Sequence, residues 1–155
     1  MSTLSFAASC DRVADMLVNP LFAHHVAAEI RADNVTTTDI EGGLTAVFTL
    51  VSPSAARRFL GPNMTITETT TWEQPLADGV RIGRLTLSMA GVPARADGPL
   101  DLKPTPTGSL MVYDADFTVK IPLFGKKIEQ MAETYLINII QACESVGNKW
   151  LAENS

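Results

Sequence analysis

Few side chains in this sequence can do chemistry, and Glu68 is the one most at odds with its surroundings. Met64, Ile66, Glu68, Thr70 and Trp72 alternate with Thr65, Thr67, Thr69, Thr71 and Glu73, and a period of two sends them to opposite faces of a strand. The first set is the more apolar, so it faces the core and turns a carboxylate inward. An unpaired buried charge is expensive, so Glu68 must be paired, hydrogen-bonded, wetted or protonated. As a functional group it is a polar anchor in an apolar cavity, the usual arrangement of small-molecule sites. As a structural group it is a strand-end residue reaching solvent, or the partner of an arginine.

Tyr113 raises the same question. Met111, Tyr113, Ala115, Phe117, Val119 and Ile121 share one face of an alternating run, with Asp114, Asp116, Thr118 and Lys120 on the other. A buried phenol needs a partner, either a ligand carbonyl or a core water. Tyr135, further on, is equally ambiguous. An enzyme of cyclase or dehydratase type would use Glu68 as general base and Tyr113 as hydrogen-bond donor, provided both reach one substrate atom. His24-His25, with Glu29 one helical turn after His25, lacks the third ligand that a zinc site needs and reads as a solvated helix face. Cys10 and Cys143 match no metal or redox spacing and read as small buried hydrophobes. No nucleophile elbow, Walker loop or dinucleotide fingerprint is present, so neither metal nor cofactor is expected.

The elements that must position these residues follow from periodicity and punctuation. After Gly125 the period lengthens: Ile128, Met131, Tyr135, Ile139, Ala142, Val146 and Trp150 recur at steps of three or four, one stripe of a helix. A helix over about 123–152 would run roughly 45 Å at ~1.5 Å per residue, enough to cross a curved sheet. Lys126-Lys127 fall in or near its first turn, where cations oppose the macrodipole; they either receive an anionic headgroup or are tolerated as exposed lysines. Upstream, residues 3–8 form a first strand and Ser9 caps a helix over about 10–18. Asn19-Pro20 starts a second helix, reaching about 32, with Phe22, Ala23, Val26 and Ile30 inward.

Strands follow at about 34–40 and 44–52, then a loop over 53–63 with one helical turn at most. A two-residue turn at Asp78-Gly79 would pair Trp72 with Leu85, Thr70 with Leu87 and Glu68 with Met89, placing Arg84 opposite Glu73. Strands at about 94–103 and 109–121 complete the set. The expected architecture is α+β: a curved antiparallel seven-strand meander wrapped around a long C-terminal helix, with two short helices between strands 1 and 2. Trp72, Leu87, Met89, Met111, Tyr113, Met131 and Tyr135 are the expected lining of an apolar cavity between sheet and helix, of the ~300–1,000 Å³ class of ligand pockets.

Composition fits one domain of 155 residues with a hydrophobic fraction of 46%. A net charge of −5 argues against a nucleic-acid partner, since phosphate binding needs a basic surface. No apolar run approaches the ~20 residues of a membrane span, and the N-terminus lacks the basic and apolar regions of a signal peptide, so a cytoplasmic location is expected.

The sequence Asp11-Arg12-Val13 through Leu17, followed by Asn19-Pro20 and Phe22, opens the helical pair. Val119-Lys120-Ile121-Pro122-Leu123-Phe124-Gly125-Lys126-Lys127-Ile128-Glu129 leads into the long helix. With this order of elements the chain resembles the START-like superfamily, the helix-grip fold of lipid-transfer domains, pollen-allergen proteins and polyketide cyclases. Its closing segment is similar to a mainly actinobacterial branch catalogued as domain of unknown function 2505. The resemblance covers essentially the whole chain and implies an apolar cavity between sheet and helix, with no universal catalytic motif to transfer. It also implies that loops gather near the start of the long helix. Phe59, Leu60, Val92, Leu123 and Phe124 are then candidates either for a hydrophobic rim edged by Arg58 and Lys126, with Phe124 a ligand-contacting residue, or for a plug at the barrel end. The expected function is binding or transfer of a hydrophobic small molecule or lipid. The alternatives are the enzyme above and a protein-interaction module with a collapsed interior.

Overall fold

The computed structural model describes residues 2–54, 57–91, 94–119 and 125–154. Strand β1 (Ser2–Phe6) leads into helices α1 (Cys10–Leu17) and α2 (Pro20–Glu29). Both helices start as the sequence dictates. The Ser9 hydroxyl accepts from the Arg12 N–H at 3.3 Å, and the Asn19 side chain accepts from the Leu21 N–H at 2.9 Å with Pro20 in the first turn. α2 buries Phe22, Ala23, Val26 and Ala27, while Ile30 closes its C-terminus half-buried.

The sheet continues with β2 (Asn34–Ile40), β3 (Gly43–Val51), β4 (Asn63–Trp72), β5 (Arg81–Met89), β6 (Ala94–Thr105), β7 (Gly108–Tyr113) and β8 (Asp116–Val119). A single turn, α3 (Arg57–Leu60), precedes β4, and the long helix α4 (Gly125–Glu153) follows the sheet. All pairings are antiparallel, in the order β1-β7-β6-β5-β4-β3-β2. The last six strands are a meander, but β1 does not join its sequence neighbour: it docks on β7 at the far side of the sheet. β7 and β8 are one strand in space. Both pair with β6 in one continuous register, and the ladder lapses where Pro99, which has no N–H, meets Asp114. The seven-strand helix-grip architecture therefore stands, with residues 120 and 121 of the expected last strand outside the described set.

The β4–β5 register differs from the expected one. Trp72 pairs with Gly83, Thr70 with Leu85, Glu68 with Leu87 and Ile66 with Met89, a slip of two residues. Two local features cause it. Gly79, at φ +82°, closes a three-residue loop in which its N–H bonds to the Leu76 carbonyl and the Leu76 N–H to Val80. Pro75 then cannot donate to the ladder, which resumes at Glu73 and Ile82. An even slip leaves every side chain on its expected face. Arg84, however, lies opposite Thr71, and its ion pair is with Asp97 at 2.9 Å, with Glu73 uninvolved.

At ~1.5 Å per residue α4 is about 43 Å long and crosses the concave face of the sheet. Its most buried line is Leu136, Ile140, Cys143, Gly147 and Leu151, flanked by Ile139 and Ala142. The expected stripe is thus offset: Met131, Tyr135, Val146 and Trp150 are half-buried. The physical reason is that α4 has two partners. One side meets the sheet, and another meets α2, where Trp150 packs edge-on against Phe22 with ring centres 5.8 Å apart. Among the described residues no helix is long and apolar enough to cross a membrane.

Candidate functional site

Strand alternation carries Met64, Ile66, Glu68, Thr70 and Trp72 to the concave face, and Met64, Ile66 and Thr70 are fully buried there. Glu68 lies among them, opposite Ala46 on one side and Leu87 on the other. It lines a small cavity of about 20 Å³ together with Leu4, Leu17, Thr70, Leu85, Leu100, Met111, Ile140 and Cys143. The wall is apolar except for the Glu68 carboxyl, the Thr70 hydroxyl and the Cys143 thiol. Glu68 keeps some accessible surface although protein surrounds it, as a residue on a cavity wall does. No described residue donates a hydrogen bond to its carboxylate or pairs with it. Burial alone pushes its carboxyl from an ordinary 4.5 up to about 7, so at neutral pH it is present in both forms. Burial, and then the charge of Glu68, also hold the Cys143 thiol well above its usual range.

Tyr113 is fully buried and its hydroxyl donates to the Leu85 main-chain carbonyl at 2.9 Å. It therefore does not line the cavity. Burial, then the charges of Asp97 and Glu68, raise its phenol pKa, which places Glu68 within electrostatic reach but not in a hydrogen bond. The convergent pair that an acid–base enzyme requires is not formed in this arrangement.

The remaining expected cavity residues fall in several places. Met111 lines the cavity with Glu68. Leu87 and Met89 are packed into the core. Trp72 is half-buried, with the Arg81 guanidinium 5.8 Å from its ring centre, and Arg81 in turn pairs with Asp11 of α1 at 3.0 Å. Trp72 and Arg81 thereby connect β4 and β5 to α1. Tyr135 lines a separate open groove of about 370 Å³ with Glu29, Ile30, Leu50, Asn138 and Ile139. Phe124 lies outside the described residues, as do Val92 and Leu123. Arg58 and Lys126 are exposed. Among the described residues no cluster of histidine, cysteine or carboxylate could hold a metal, and His25 packs edge-on against Trp150 at 5.2 Å.

Sequence reasoning missed Leu4, Leu17, Thr70, Leu85, Leu100, Ile140 and Cys143 as cavity walls. Their signal was weak because each is an ordinary core residue by periodicity. Only the meeting of β1, the end of α1 and the middle of α4 makes them a wall.

The family described as Protein of unknown function (DUF2505) matches residues 1–151. No curated protein matches the chain in sequence. Solved structures with the same fold include TTHA0849 from Thermus thermophilus, at 15% identity and a TM-score of 0.63, covering 99% of this chain and 97% of that one. Protein Ms6760 from Mycobacterium smegmatis is similar at 11% identity and a TM-score of 0.59, with 99% and 90% covered. A START superfamily protein from Mycobacterium smegmatis is similar at 15% identity and a TM-score of 0.52, with 93% and 92% covered.

Proposed function

This chain belongs to the DUF2505 family and has a START-like fold, and we propose that it binds a hydrophobic small molecule or lipid between the sheet and α4, with Glu68 as the polar anchor. The observation that carries the reading is the unpartnered Glu68 carboxyl on a mostly apolar wall. A buried acid without a partner costs stability in the empty protein, and a ligand donating a hydrogen bond or a positive charge would recover it. The preferred occupant is therefore an apolar molecule bearing a hydroxyl or an amine. A fatty acid would set a second carboxylate beside the first. About 20 Å³ accommodates one water, so a larger occupant enters by displacing wall side chains, for which flexible Met111 is suited.

Mass spectrometry of ligands extracted from the purified protein tests this directly, supported by thermal shifts with long-chain alcohols, amines and acids. Alcohols or amines should raise the melting temperature, and Glu68→Leu should erase the preference over acids. A chain that extracts empty and responds to none of the series would rule the reading out. The small cavity supports a second reading, in which the interior is collapsed and the fold serves as a protein-interaction module.

A further inference from the structure

The two edges of the sheet are treated differently. On β1, the outward N–H of Ser5 donates to the Glu144 carboxylate at 2.8 Å, and just past the strand that of Ala7 donates to the Asn148 side chain at 2.9 Å. Asn148 also donates back to the Ser5 carbonyl at 2.9 Å. Side chains of α4 thus occupy the outward main-chain groups at the C-terminal half of β1, on which another strand could pair. β2, at the opposite edge, has no such cover among the described residues.

Antiparallel ladders fix which groups of β2 are free. The Trp72 N–H bonds to the Gly42 carbonyl, so even-numbered residues of β3 bond to β4 and odd-numbered ones to β2. Through the β2–β3 register, Asn34, Thr36, Thr38 and Ile40 are spent on β3. The N–H and C=O groups of Val35, Thr37 and Asp39 point outward and meet no partner among the described residues. The strand itself, Asn-Val-Thr-Thr-Thr-Asp-Ile, carries neither the proline nor the lysine that commonly guards an edge. Ile40 at its end is an exposed large hydrophobic side chain.

We infer that this edge is where a second copy of the chain adds its own β2. The strand is its own complement. In the antiparallel register that overlaps all of β2, Thr37 faces Thr37 of the second copy and Val35 faces its Asp39. Thr36 faces Thr38, a favourable cross-strand pair, and Ile40 is covered by Asn34. Within the strand no charge faces a like charge. The pairing is isologous and uses up the β2 edge of both copies, so it stops at a twofold dimer. Just outside the strand, Asp33 approaches Glu41 of the second copy. That like-charge pair weakens the dimer at low ionic strength and gives it a signature: association tightens as salt is added.

Sedimentation and light scattering of the full chain over a concentration series should show twice the 16.7 kDa monomer mass, more completely at high salt. Thr37→Pro removes an outward N–H without touching the β3 ladder, so it should leave a folded monomer. Thr37→Lys, which cannot break the strand, should weaken association at least tenfold. Hydrogen exchange supplies a readout that needs no variant: the amides of Val35, Thr37 and Asp39 should gain protection as concentration rises. A chain that stays monomeric at high concentration and salt overturns the inference. So does a dimer that survives both substitutions, or one whose three outward amides exchange as fast as in the monomer.

Discussion

The Tyr113 hydroxyl reaches over β6 to the main-chain carbonyl of Leu85 on β5, 2.9 Å away. Both residues are buried, and the bond ties β7 to β5 across the strand between them. Tyr113→Phe keeps the ring and deletes the bond. The expected loss is about 1 kcal/mol in urea unfolding, with ligand uptake unchanged. Lost uptake at unchanged stability would mean that the phenol serves a ligand after all.

Glu68 should give the protein an unusual pH profile. Its folded pKa of about 7 lies above the ordinary 4.5, so between those values the folded state holds a proton that the unfolded state has released. Stability is then full below the lower value and falls as pH rises through the upper one. The drop amounts to ~3 kcal/mol. Glu68→Gln should flatten the profile and be the more stable protein at pH 8. Melting temperatures from pH 5 to 8 would decide it, and parallel profiles for the two proteins would refute the assignment.

Gly147 marks a close approach of α4 to Phe6 and Met16. A Cβ there would stand 2.7 Å from the Phe6 ring and 3.0 Å from the Met16 methyl. Alanine is the better helix former by ~1 kcal/mol, but overpacking costs about 1–3 kcal/mol. The net effect of Gly147→Ala should be destabilising, and Phe6→Leu in the same chain should restore part of the loss. If Gly147→Ala melts higher than the parent, the helix does not sit this close.

Leu17 and Met111 are both walls of the cavity that Glu68 lines. Leu17 is half-buried, so Leu17→Ala should cost about 1–2 kcal/mol, less than truncation of a fully buried leucine. It should also admit apolar probes that the parent excludes, and those probes should recover part of the loss in a thermal shift. Probe binding equal to the parent's would show that the cavity cannot grow on this side.

Much of the architecture was legible because its signals were local. Asn19-Pro20 starts a helix whatever surrounds it, and alternation along Met64 to Trp72 fixes the inward face even though the hairpin register slipped by two. Features that depend on distant partners were not. Nothing near Ser2–Phe6 announces that it pairs with β7. The stripe of α4 was misplaced by about one residue because an element with two apolar neighbours carries two overlapping patterns. Glu68 stood out by type alone, and its cavity partner Met111 came with the face assignment. The other walls, and the size of the space, are set by rotamers and by how closely three elements meet, which no pattern records.

The contacts of Ser5 with Glu144, of Ala7 with Asn148, and of Arg12 with the Leu151 carbonyl join β1, the link after it and α1 to the last element of the fold. A chain emerging from the ribosome presents β1 well before β7 and α4, the elements that complete it. The earliest-made strand must therefore wait, with both its edges open, until the long helix has also emerged. The β2–β6 meander can form from neighbours, but β1 closes the fold last, and until α4 arrives the apolar face of Leu4 and Phe6 stays uncovered.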